Sequence, residues 1–202
     1  MLIVGYGAVM HEPPIRSASR SEASALLDTL TVAFVADPVF RYWWSEASSF
    51  LRAWPAFALA MGEQAFNHDT ALIYGSNNAI SIWLPPGVEA DPARLDALDL
   101  DGTEEEERIG AEIRAEQQRF HPAEPYWYLW LIGVDPAFQR RGIGSALLTH
   151  TLQTCDEQAQ TAFLESSDPL NIPFYERHGF EVLGEIRVRD VPVITPMIRL
   201  PR

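Results

Sequence analysis

The residues whose chemistry is easiest to interpret lie in a loop with two glycines, Gln139-Arg140-Arg141-Gly142-Ile143-Gly144-Ser145. An apolar run over residues 126–134 precedes the loop and predicts a buried strand. After the loop, apolar residues recur at helical spacing and predict a helix. A helix N-terminus carries unpaired N–H groups and the positive end of the helix dipole, and glycine lets a ligand approach the main chain closely. The sequence therefore predicts that this loop binds the phosphates of a cofactor.

Two other phosphate-binding motifs do not fit this loop. The dinucleotide fingerprint places its glycines tightly after a first strand and needs an acidic residue about 20 positions later. Here the glycines come late in the chain and only two are in place. A Walker loop requires Gly-Lys-Ser/Thr, whereas all 15 basic residues of this chain are arginine. The absence of lysine also excludes a lysine nucleophile and a lysine Schiff base.

Composition limits the class of protein and the kind of partner. The chain has 202 residues, of which 47% are hydrophobic and 21% charged, as expected for one globular domain. A net charge of −13 argues against a nucleic-acid partner and is compatible with a cationic small molecule. No stretch is long and apolar enough to span a membrane. We expect residues 14–202 to form the domain and residues 1–13 to be an N-terminal extension or edge strand.

Cys155 is the single cysteine, so no intrachain disulfide can form and a reducing, cytoplasmic location is expected. It lies on the predicted buried stripe of the helix after the loop, together with Gly144, Leu148, Leu152 and Ala159. A buried thiol without cationic neighbours is unreactive. We therefore expect a core position rather than a nucleophile.

The first half of the chain predicts helices around one hairpin. Ser19 and Glu22 have the spacing of a capping box and open a helix, which Asp37-Pro38 ends. The other predicted elements are a strand at 15–18, a helix at 49–66, strands at 70–74 and 79–84, and one or two surface helices within 89–118.

The second half predicts a strand–helix–strand centre followed by a hairpin. A strand covers residues 161–165, Asp168 or its neighbour caps the next helix, and Gly179 ends that helix. Residues 180–188 and 191–198 form the hairpin, and Pro192 and Pro196 indicate that its last strand lies at a sheet edge. The order predicts a mixed α/β fold.

Three further groups of residues contain side chains that could have a chemical role. Two of the groups have both a structural and a functional interpretation, and the third has only a structural one. Residues 40–44 are an aromatic cluster in a connector, which suits helix packing or a wall of an acceptor pocket. The run of glutamates at 104–107 suits a solvated helix face or a cation site. His121, His150 and His178 lack metal-type spacing, so we expect surface or core positions and no metal site.

Two segments together resemble the GCN5-related N-acetyltransferase (GNAT) superfamily. The loop matches the signature Gln/Arg-x-x-Gly-x-Gly/Ala at every specified position, and residues 171–180 are similar to a second hallmark, a helix with Phe-Tyr followed by Gly-Phe. The resemblance is close over about residues 126–188. It implies a single-domain GNAT-type fold, with a mostly antiparallel six- to seven-stranded sheet that is splayed at its centre and flanked by helices.

The resemblance also implies acetyl-CoA as co-substrate and a set of residues that bind it. The pyrophosphate would lie on the N–H groups from Arg140 to Ser145, and residues 131–134 of a bulged central strand would line the pantetheine arm, where an N–H could polarise the thioester carbonyl. Asn171 would hydrogen-bond the arm and Phe174 would pack against it. The implied binding residues are Leu131, Ile132, Gly133, Val134, Gln139, Arg140, Arg141, Gly142, Ile143, Gly144, Ser145, Asn171 and Phe174.

Direct transfer to an amine needs a base for the amine and an acid for the leaving thiolate. By the same resemblance, Tyr175 is the acid. Glu165 closes a strand beside the cleft and is the candidate base, with a structural cap or ion-pair partner as the equal alternative. Tyr126 and Tyr128 project from the central strand and could order a water for such a base.

The acceptor is the part that the sequence specifies least. We expect a small-molecule or peptidic primary amine of cationic or aromatic character, bound by residues 34–44, Trp83 and Trp127. The alternatives are transfer to a hydroxyl group, or a catalytically silent acyl-CoA sensor or regulatory module of the same fold. The sequence is compatible with either a monomer or a homodimer.

Overall fold

The computed structural model describes residues 15–98 and 102–202, and its strands form one seven-stranded sheet. Every neighbouring pair is antiparallel except β4 and β5, which are parallel, so the expected mixed, mostly antiparallel α/β fold is confirmed. The expectation for residues 1–13 lies outside the described residues. In sheet order the strands are β1 (Ile15–Ser17), β2 (Ala71–Tyr74), β3 (Ala79–Leu84), β4 (Tyr126–Val134), β5 (Thr161–Ser166), β7 (Thr195–Arg199) and β6 (Glu181–Val182).

Helices cover both faces of this sheet. In the described part of the chain they are α1 (Ala23–Phe34), α2 (Pro38–Trp43), α3 (Ala47–Gly62), α4 (Gln64–Asn67), α5 (Pro92–Asp96), α6 (Glu104–Gln118), α7 (Ile143–Glu157) and α8 (Ile172–Arg177). Side chains of α1, α3 and α4 pack with Ile80, Ile82 and Leu131 in one core cluster. Side chains of α7 and α8 pack with Trp83 and Leu129 in another. None of the helices within residues 15–98 and 102–202 is long and apolar enough to cross a membrane.

A bulge in β4 changes the face to which its side chains point. Ile82 pairs with Leu131 and Trp83 pairs with Leu129, so Trp130 has no partner on β3. Residues two apart normally share a face of a strand, but a bulged residue breaks that alternation. Leu129 accordingly packs with the α7 and α8 cluster, whereas Leu131 packs with the α1 and α3 cluster.

The start of the first helix is confirmed and the connector after it is corrected. Ser19 and Glu22 form the predicted capping box, and a short 3-10 turn leads into α1. The side chain of Asp37 accepts hydrogen bonds from the N–H groups of Val39 and Phe40, each 3.0 Å long. The prediction that residues 40–44 form a connector is wrong for residues 40–43, which belong to α2. An acidic N-cap followed by proline ends one helix and starts another equally well.

The predicted helix at 49–66 is divided into α3 and α4, and Pro55 lies inside α3 without ending it. The first hairpin is confirmed as β2 and β3, and the surface helices within 89–118 are confirmed as α5 and α6. Helix α7 ends at Glu157, so Ala159, which was predicted to lie on its buried stripe, lies beyond the end of the helix. Cys155 is buried in the core as expected, and burial raises the pKa of its thiol to about 12.

The prediction that the last strand lies at an edge is wrong. β7 lies between β5 and β6, and the hairpin is reduced to two β6 residues and one bridge between Ile186 and Ile194. The N–H of Leu183 donates to the carbonyl of Pro196. Because the nitrogen and carbonyl of one residue point to the same side of a strand, the Pro196 nitrogen faces the β6 side and not β5. Proline is therefore tolerated in an interior strand here.

Gly133 sets how closely α1 approaches β4, which yields a test of the fold. A β-carbon at this position would lie 2.8 Å from Cδ2 of Leu30 and 2.9 Å from Cβ of Ala33. We expect Gly133→Ala to lower the free energy of unfolding by about 1–3 kcal/mol, because overpacking forces α1 away from the sheet. Urea unfolding measures the change. Gly102→Ala is the matched control, since no atom lies within 4 Å of a β-carbon there; equal stabilities of the two variants would contradict the packing argument.

Candidate active site

The sheet opens between its two central strands. β4 and β5 pair in parallel over residues 126–129 and 161–164, and in the described structure no pairing continues beyond them. β4 nevertheless extends to Val134 and β5 to Ser166. Residues 129–132 and 164–167 border a cavity of about 1210 Å³ at this opening. The bulged and splayed centre that the resemblance implied is confirmed.

The open edge of β4 offers main-chain hydrogen-bonding groups. The N–H of Asp135 donates to the carbonyl of Asn78 on the β3 side. Main-chain groups of successive residues point to opposite sides of a strand. Those of Val134 and Ile132 therefore point to the side where β5 no longer pairs, as an extended ligand arm would require.

The loop after β4 turns sharply into α7. Arg140 and Gly142 both have left-handed backbone, with φ of 61° and 79°. Gly142 is the N-cap of α7, and no side chain caps the helix. The N–H groups of the first turn, at Ile143, Gly144 and Ser145, have no intrahelical acceptor. The end of a 15-residue helix thus presents donors and a positive dipole together.

The polar side chains of the loop divide between the protein and the solvent. Nε2 of Gln139 donates to the carbonyl of Val134 at 3.2 Å. The guanidinium of Arg141 donates to the carbonyl of Ala137 at 3.0 Å and lies over the ring of Phe138. Gln139, Arg140 and Arg141 are all exposed, so both arginines remain accessible to an anion at the loop.

Three sequence segments meet at Gly144. A β-carbon on Gly144 would lie 3.5 Å from Cγ2 of Val134 and 3.6 Å from Cζ of Phe174. The first turn of α7, the end of β4 and α8 are therefore in contact, as the resemblance implied for one binding groove. Asn171 is exposed and borders the cavity. Of the β4 residues 131–134, Leu131 and Ile132 border the cavity, and Gly133 and Val134 lie further along the strand.

Tyr175 lies on α8 with its side chain at the cavity. It is 8% exposed, and its ring packs edge to face with Phe174 and Phe180. Burial, with smaller contributions from the charges of Asp37 and Asp168, raises the pKa of the Tyr175 hydroxyl. The hydroxyl therefore stays protonated at neutral pH and can donate a hydrogen bond.

Glu165 lies on β5 with a side chain that is only 5% exposed. Its Oε2 accepts hydrogen bonds from Nε2 of Gln117 at 2.9 Å and from the hydroxyl of Tyr128 at 3.0 Å. Its Oε1 is buried and has no hydrogen-bond partner, and the nearest basic group is Nε2 of His121 at 3.5 Å. One carboxylate oxygen is thus held in place and the other is left without a donor.

The tyrosines of β4 surround this carboxylate. Burial and the charge of Glu165 raise the pKa of Tyr128 well above its usual value. The same two causes, with a contribution from Glu89, raise the pKa of Tyr126 to about 12. Tyr126 forms a short hydrogen bond with Nδ1 of His121. Both phenols therefore remain neutral beside Glu165, and Tyr128 contacts it directly.

One side of the cavity is an aromatic wall made of Phe40, Trp44, Phe57 and Trp130, whose ring centroids are 5.7 to 6.5 Å apart between neighbours. The wall continues to Tyr128, 6.4 Å from Trp130, and so reaches Glu165. Among the residues that the structure describes, the charged side chains lining the cavity, apart from histidine, are Glu46, Glu106, Glu107 and Glu165 against Arg52 and Arg114. The cavity therefore combines an apolar aromatic surface with an excess of acidic groups.

Two expected acceptor residues do not line this cavity. Trp83 is 0% exposed and packs in the α7 and α8 core. Trp127 is 7% exposed and donates through Nε1 to the side chain of Gln158. Both lie on the face of the sheet opposite the aromatic wall. The expectation that they bind the acceptor is wrong, whereas Phe34, Phe40, Trp43 and Trp44 of the 34–44 segment do line the cavity.

Residues 91–180 match the model of the Acetyltransferase (GNAT) family. This part of the chain is therefore similar to GNAT acetyltransferases. Members of that family use acetyl-CoA as co-substrate.

Solved structures extend the likeness over nearly the whole chain. The histone acetyltransferase HPA2 and related acetyltransferase from Corynebacterium glutamicum is 24% identical, with a TM-score of 0.67 over 95% of this chain and 98% of that one. Arylalkylamine N-acetyltransferase 2 from Aedes aegypti is 12% identical, with a TM-score of 0.65 over 94% and 99%. An agmatine N-acetyltransferase is 12% identical, with a TM-score of 0.63 over 94% and 100%. At these identities the comparisons show that the described chain has the GNAT fold.

Sequence reasoning missed several polar residues around this cavity. His121 and Gln117 contact Glu165, but they lie 44 and 48 positions before it and belong to no motif. His150 is exposed and His178 is half-buried, as expected, but His121 is a cavity residue. The one feature of the sequence that could have indicated this position is that His121 lies shortly before the central strand. Glu106 and Glu107, expected on a solvated face, border the cavity from α6.

Asp37 is the other missed residue, and it connects α2 to β5. Its side chain is buried, accepts from the first turn of α2, and accepts a short hydrogen bond from the hydroxyl of Ser167. Ser167 follows β5 and lines the cavity. Burial raises the pKa of Asp37, and the three hydrogen bonds partly oppose that shift.

The raised pKa of Asp37 has a consequence for stability. Its folded-state pKa is above the unfolded value of about 3.9, so the folded state binds more protons and stability falls as pH rises between the two. We expect Asp37→Asn to remove this fall, because an asparagine retains both N–H acceptances and can donate to Ser167. Urea unfolding from pH 4 to 7 measures the difference.

Ser167→Ala is the complementary variant for this measurement. It removes the hydrogen bond that lowers the pKa of Asp37, so the loss of stability should extend to higher pH than in the wild type. Parallel pH profiles for the wild type and Asp37→Asn would contradict the assignment.

Proposed function

We propose that this protein transfers the acetyl group of acetyl-CoA directly to a primary amine of a small-molecule or peptidic acceptor. One observation carries the proposal. The uncapped N-terminus of α7 continues into an open β4 edge, and that edge leads to a cavity lined by both Tyr175 and Glu165. A phosphate-binding helix end, an extended groove and two proton-transfer groups are what acyl transfer from a CoA thioester requires.

The residues of the loop fit the pyrophosphate of CoA. Free N–H groups at Ile143, Gly144 and Ser145 and two exposed arginines supply donors and positive charge. Gly144 leaves room between Val134 and Phe174 for the arm to pass. The open edge of Ile132 and Val134 supplies main-chain groups for the pantetheine amides, and an N–H there would polarise the thioester carbonyl.

Glu165 is the proposed base. Its Oε1 is buried, lacks a donor and lies in the cavity wall, whereas Oε2 is held by Gln117 and Tyr128. An ammonium group that enters the cavity would donate to Oε1, lose a proton there and become the neutral nucleophile. The new C–N bond then forms at the carbonyl carbon as the C–S bond breaks, and the nitrogen releases its second proton to solvent as the amide forms.

Tyr175 is the proposed acid for the sulfur. Because burial raises the pKa of its hydroxyl, a proton is present on it at every pH where the enzyme would work. Hydrogen bonding to the departing sulfur stabilises the developing thiolate, and the thiolate takes the proton as CoA leaves. Tyr175 then regains a proton from solvent.

The acceptor class follows from the cavity. An aromatic wall of four rings offers dispersion contacts to an apolar body and cation–π contacts to an ammonium group. The four acidic side chains exceed the two arginines along the lining. An arylalkylamine and an agmatine N-acetyltransferase share this fold, which supports aromatic and cationic amines as first candidates.

Binding of CoA by the loop can be tested with two charges at the helix end. We expect Gly142→Glu/Gly144→Glu to bind acetyl-CoA about 30-fold more weakly or worse, because each carboxylate opposes the phosphates and the dipole by about 1 kcal/mol. Titration calorimetry measures the affinity. Gly142→Ala/Gly144→Ala is the control, because it introduces the same backbone strain at Gly142 without the charges. Undiminished binding of acetyl-CoA by the glutamate variant would show that this loop is not the binding site.

The reaction itself is tested with acetyl-CoA and a panel of arylalkylamines, polyamines and short peptides, with thiol release as the readout. We expect wild-type turnover, and we expect Tyr175→Phe to lower kcat by about 10²–10⁴-fold with little change in the KM for acetyl-CoA. Tyr74→Phe, a tyrosine on β2 outside the cavity lining, is the matched control.

Two results would contradict the proposal. Wild-type binding of acetyl-CoA without turnover on the whole panel would favour a catalytically silent acyl-CoA sensor. Full turnover in Tyr175→Phe would leave the fold assignment intact but would remove Tyr175 from the acid role.

A further inference from the structure

An acceptor bound in the cavity would separate the carboxylate of Glu165 from bulk water. The Glu165 side chain is 5% exposed, its Oε2 is occupied by two donors, and its Oε1 is enclosed without a partner. A base that takes a proton in such a place must pass it on before the next turnover. The neighbours of Glu165 must therefore include a group that can accept a proton and reach solvent.

His121 has the required position. Its Nε2 lies 3.5 Å from Oε1 of Glu165, its Nδ1 bonds to the hydroxyl of Tyr126, and its side chain is 29% exposed. The ring is packed beside Phe163, with 4.7 Å between centroids, which fixes its plane. A separation of 3.5 Å is long for a hydrogen bond, but catalytic contacts commonly shorten when substrate is bound.

We propose that His121 is the proton outlet of Glu165, a positioning residue that returns the base to its ionised form in each cycle. The inference rests on the proposed function. The amine gives its proton to Oε1 of Glu165, and the carboxylic acid gives that proton to Nε2 of His121. The imidazolium then releases that proton from Nε2 to water, since 29% of the side chain is exposed, so one proton leaves by this route for each amide formed. Before the transfer, Nδ1 carries the hydrogen and donates to the oxygen of Tyr126.

The other groups that face His121 do not serve this purpose. On β4, Tyr126 has a pKa of about 12 and Tyr128 one well above its usual value, so both keep their protons. Gln117 on α6 cannot take up a proton, and Glu89 acts on Tyr126 only through its charge. On β5, Glu165 is the charged neighbour and Phe163 is apolar. Among the described residues that surround Glu165, His121 is the one with an imidazole, the side-chain type that most often carries a proton between two other groups.

The test uses the full-length protein and the most active amine of the panel. We expect His121→Ala to lower kcat by about tenfold or more, with an unchanged KM for acetyl-CoA because His121 lies outside the loop that would bind it. Added imidazole should restore turnover, and the restored rate should follow the concentration of its free-base form, since a small base can enter the space left by the side chain. Rescue of this kind reports proton transfer and would not follow from a purely structural role.

Three variants complete the design. His121→Gln retains a polar side chain but cannot carry a proton, so it should lose activity even when its thermal unfolding matches the wild type. Tyr126→Phe removes only the partner of Nδ1 and should lower kcat less than His121→Ala does. His68→Ala, an exposed histidine outside the cavity lining, controls for unspecific effects of imidazole.

The outcomes separate the two proposals. Wild-type kcat in a folded His121→Gln, or an activity loss in His121→Ala that free-base imidazole does not relieve, would overturn the outlet while leaving acetyl transfer in place. A wild type without turnover on any amine would overturn the proposed function and the outlet with it. Rescue confined to His121→Ala would support both.

Discussion

The separation of β4 from β5 is the constraint on which the rest of the site depends. Two parallel strands pair for four residues and then diverge, although both continue. Buried main-chain groups without partners are costly, so such an opening persists only where a ligand or solvent satisfies them. The bulge at Trp130 lies at the point of divergence. It turns Trp130 and Leu131 to the same face and thereby places the indole in the aromatic wall.

A single buried carboxylate sets the electrostatics of this opening. Burial, together with the charge of Glu165, raises the pKa of Tyr126 and Tyr128, so its neighbours on β4 are neutral donors and not competing anions. Two hydrogen bonds to Oε2 offset part of the free energy that it costs to bury the charge. Oε1 has no donor, so a cationic partner that donates to Oε1 would offset more of that cost. The amine that we propose as acceptor would suit such a site, because it brings both a positive charge and N–H donors.

The side chain of Asp37 connects α2 to the end of β5. Its carboxylate holds the first turn of α2, which carries Phe40 and Trp43, and also holds Ser167 after β5. The aromatic surface and the strand that carries Glu165 are therefore fixed to one another by a single buried group. This arrangement requires the Asp37 carboxyl group to be buried, and burial raises its pKa.

The sequence by itself determined most secondary-structure elements and the loop at 139–145, whereas the tertiary structure decided which side chains line the cavity. The loop at 139–145 and the helix with Tyr175 could be predicted because their requirements are local: a glycine N-cap with φ of 79°, an uncapped first turn and a proline-started helix. The mixed α/β class followed from the order of the predicted elements, and the mostly antiparallel sheet followed from the resemblance. Local patterns gave wrong predictions for Trp83, for β7 and for residues 40–43. The burial of Trp83 and the position of β7 in the sheet depend on residues distant in the chain. Asp37-Pro38 both ends α1 and begins α2, which the local pattern alone does not show. The contact of His121 with Glu165, 44 positions apart in the chain, exists only because the sheet places β5 beside β4 at its open end.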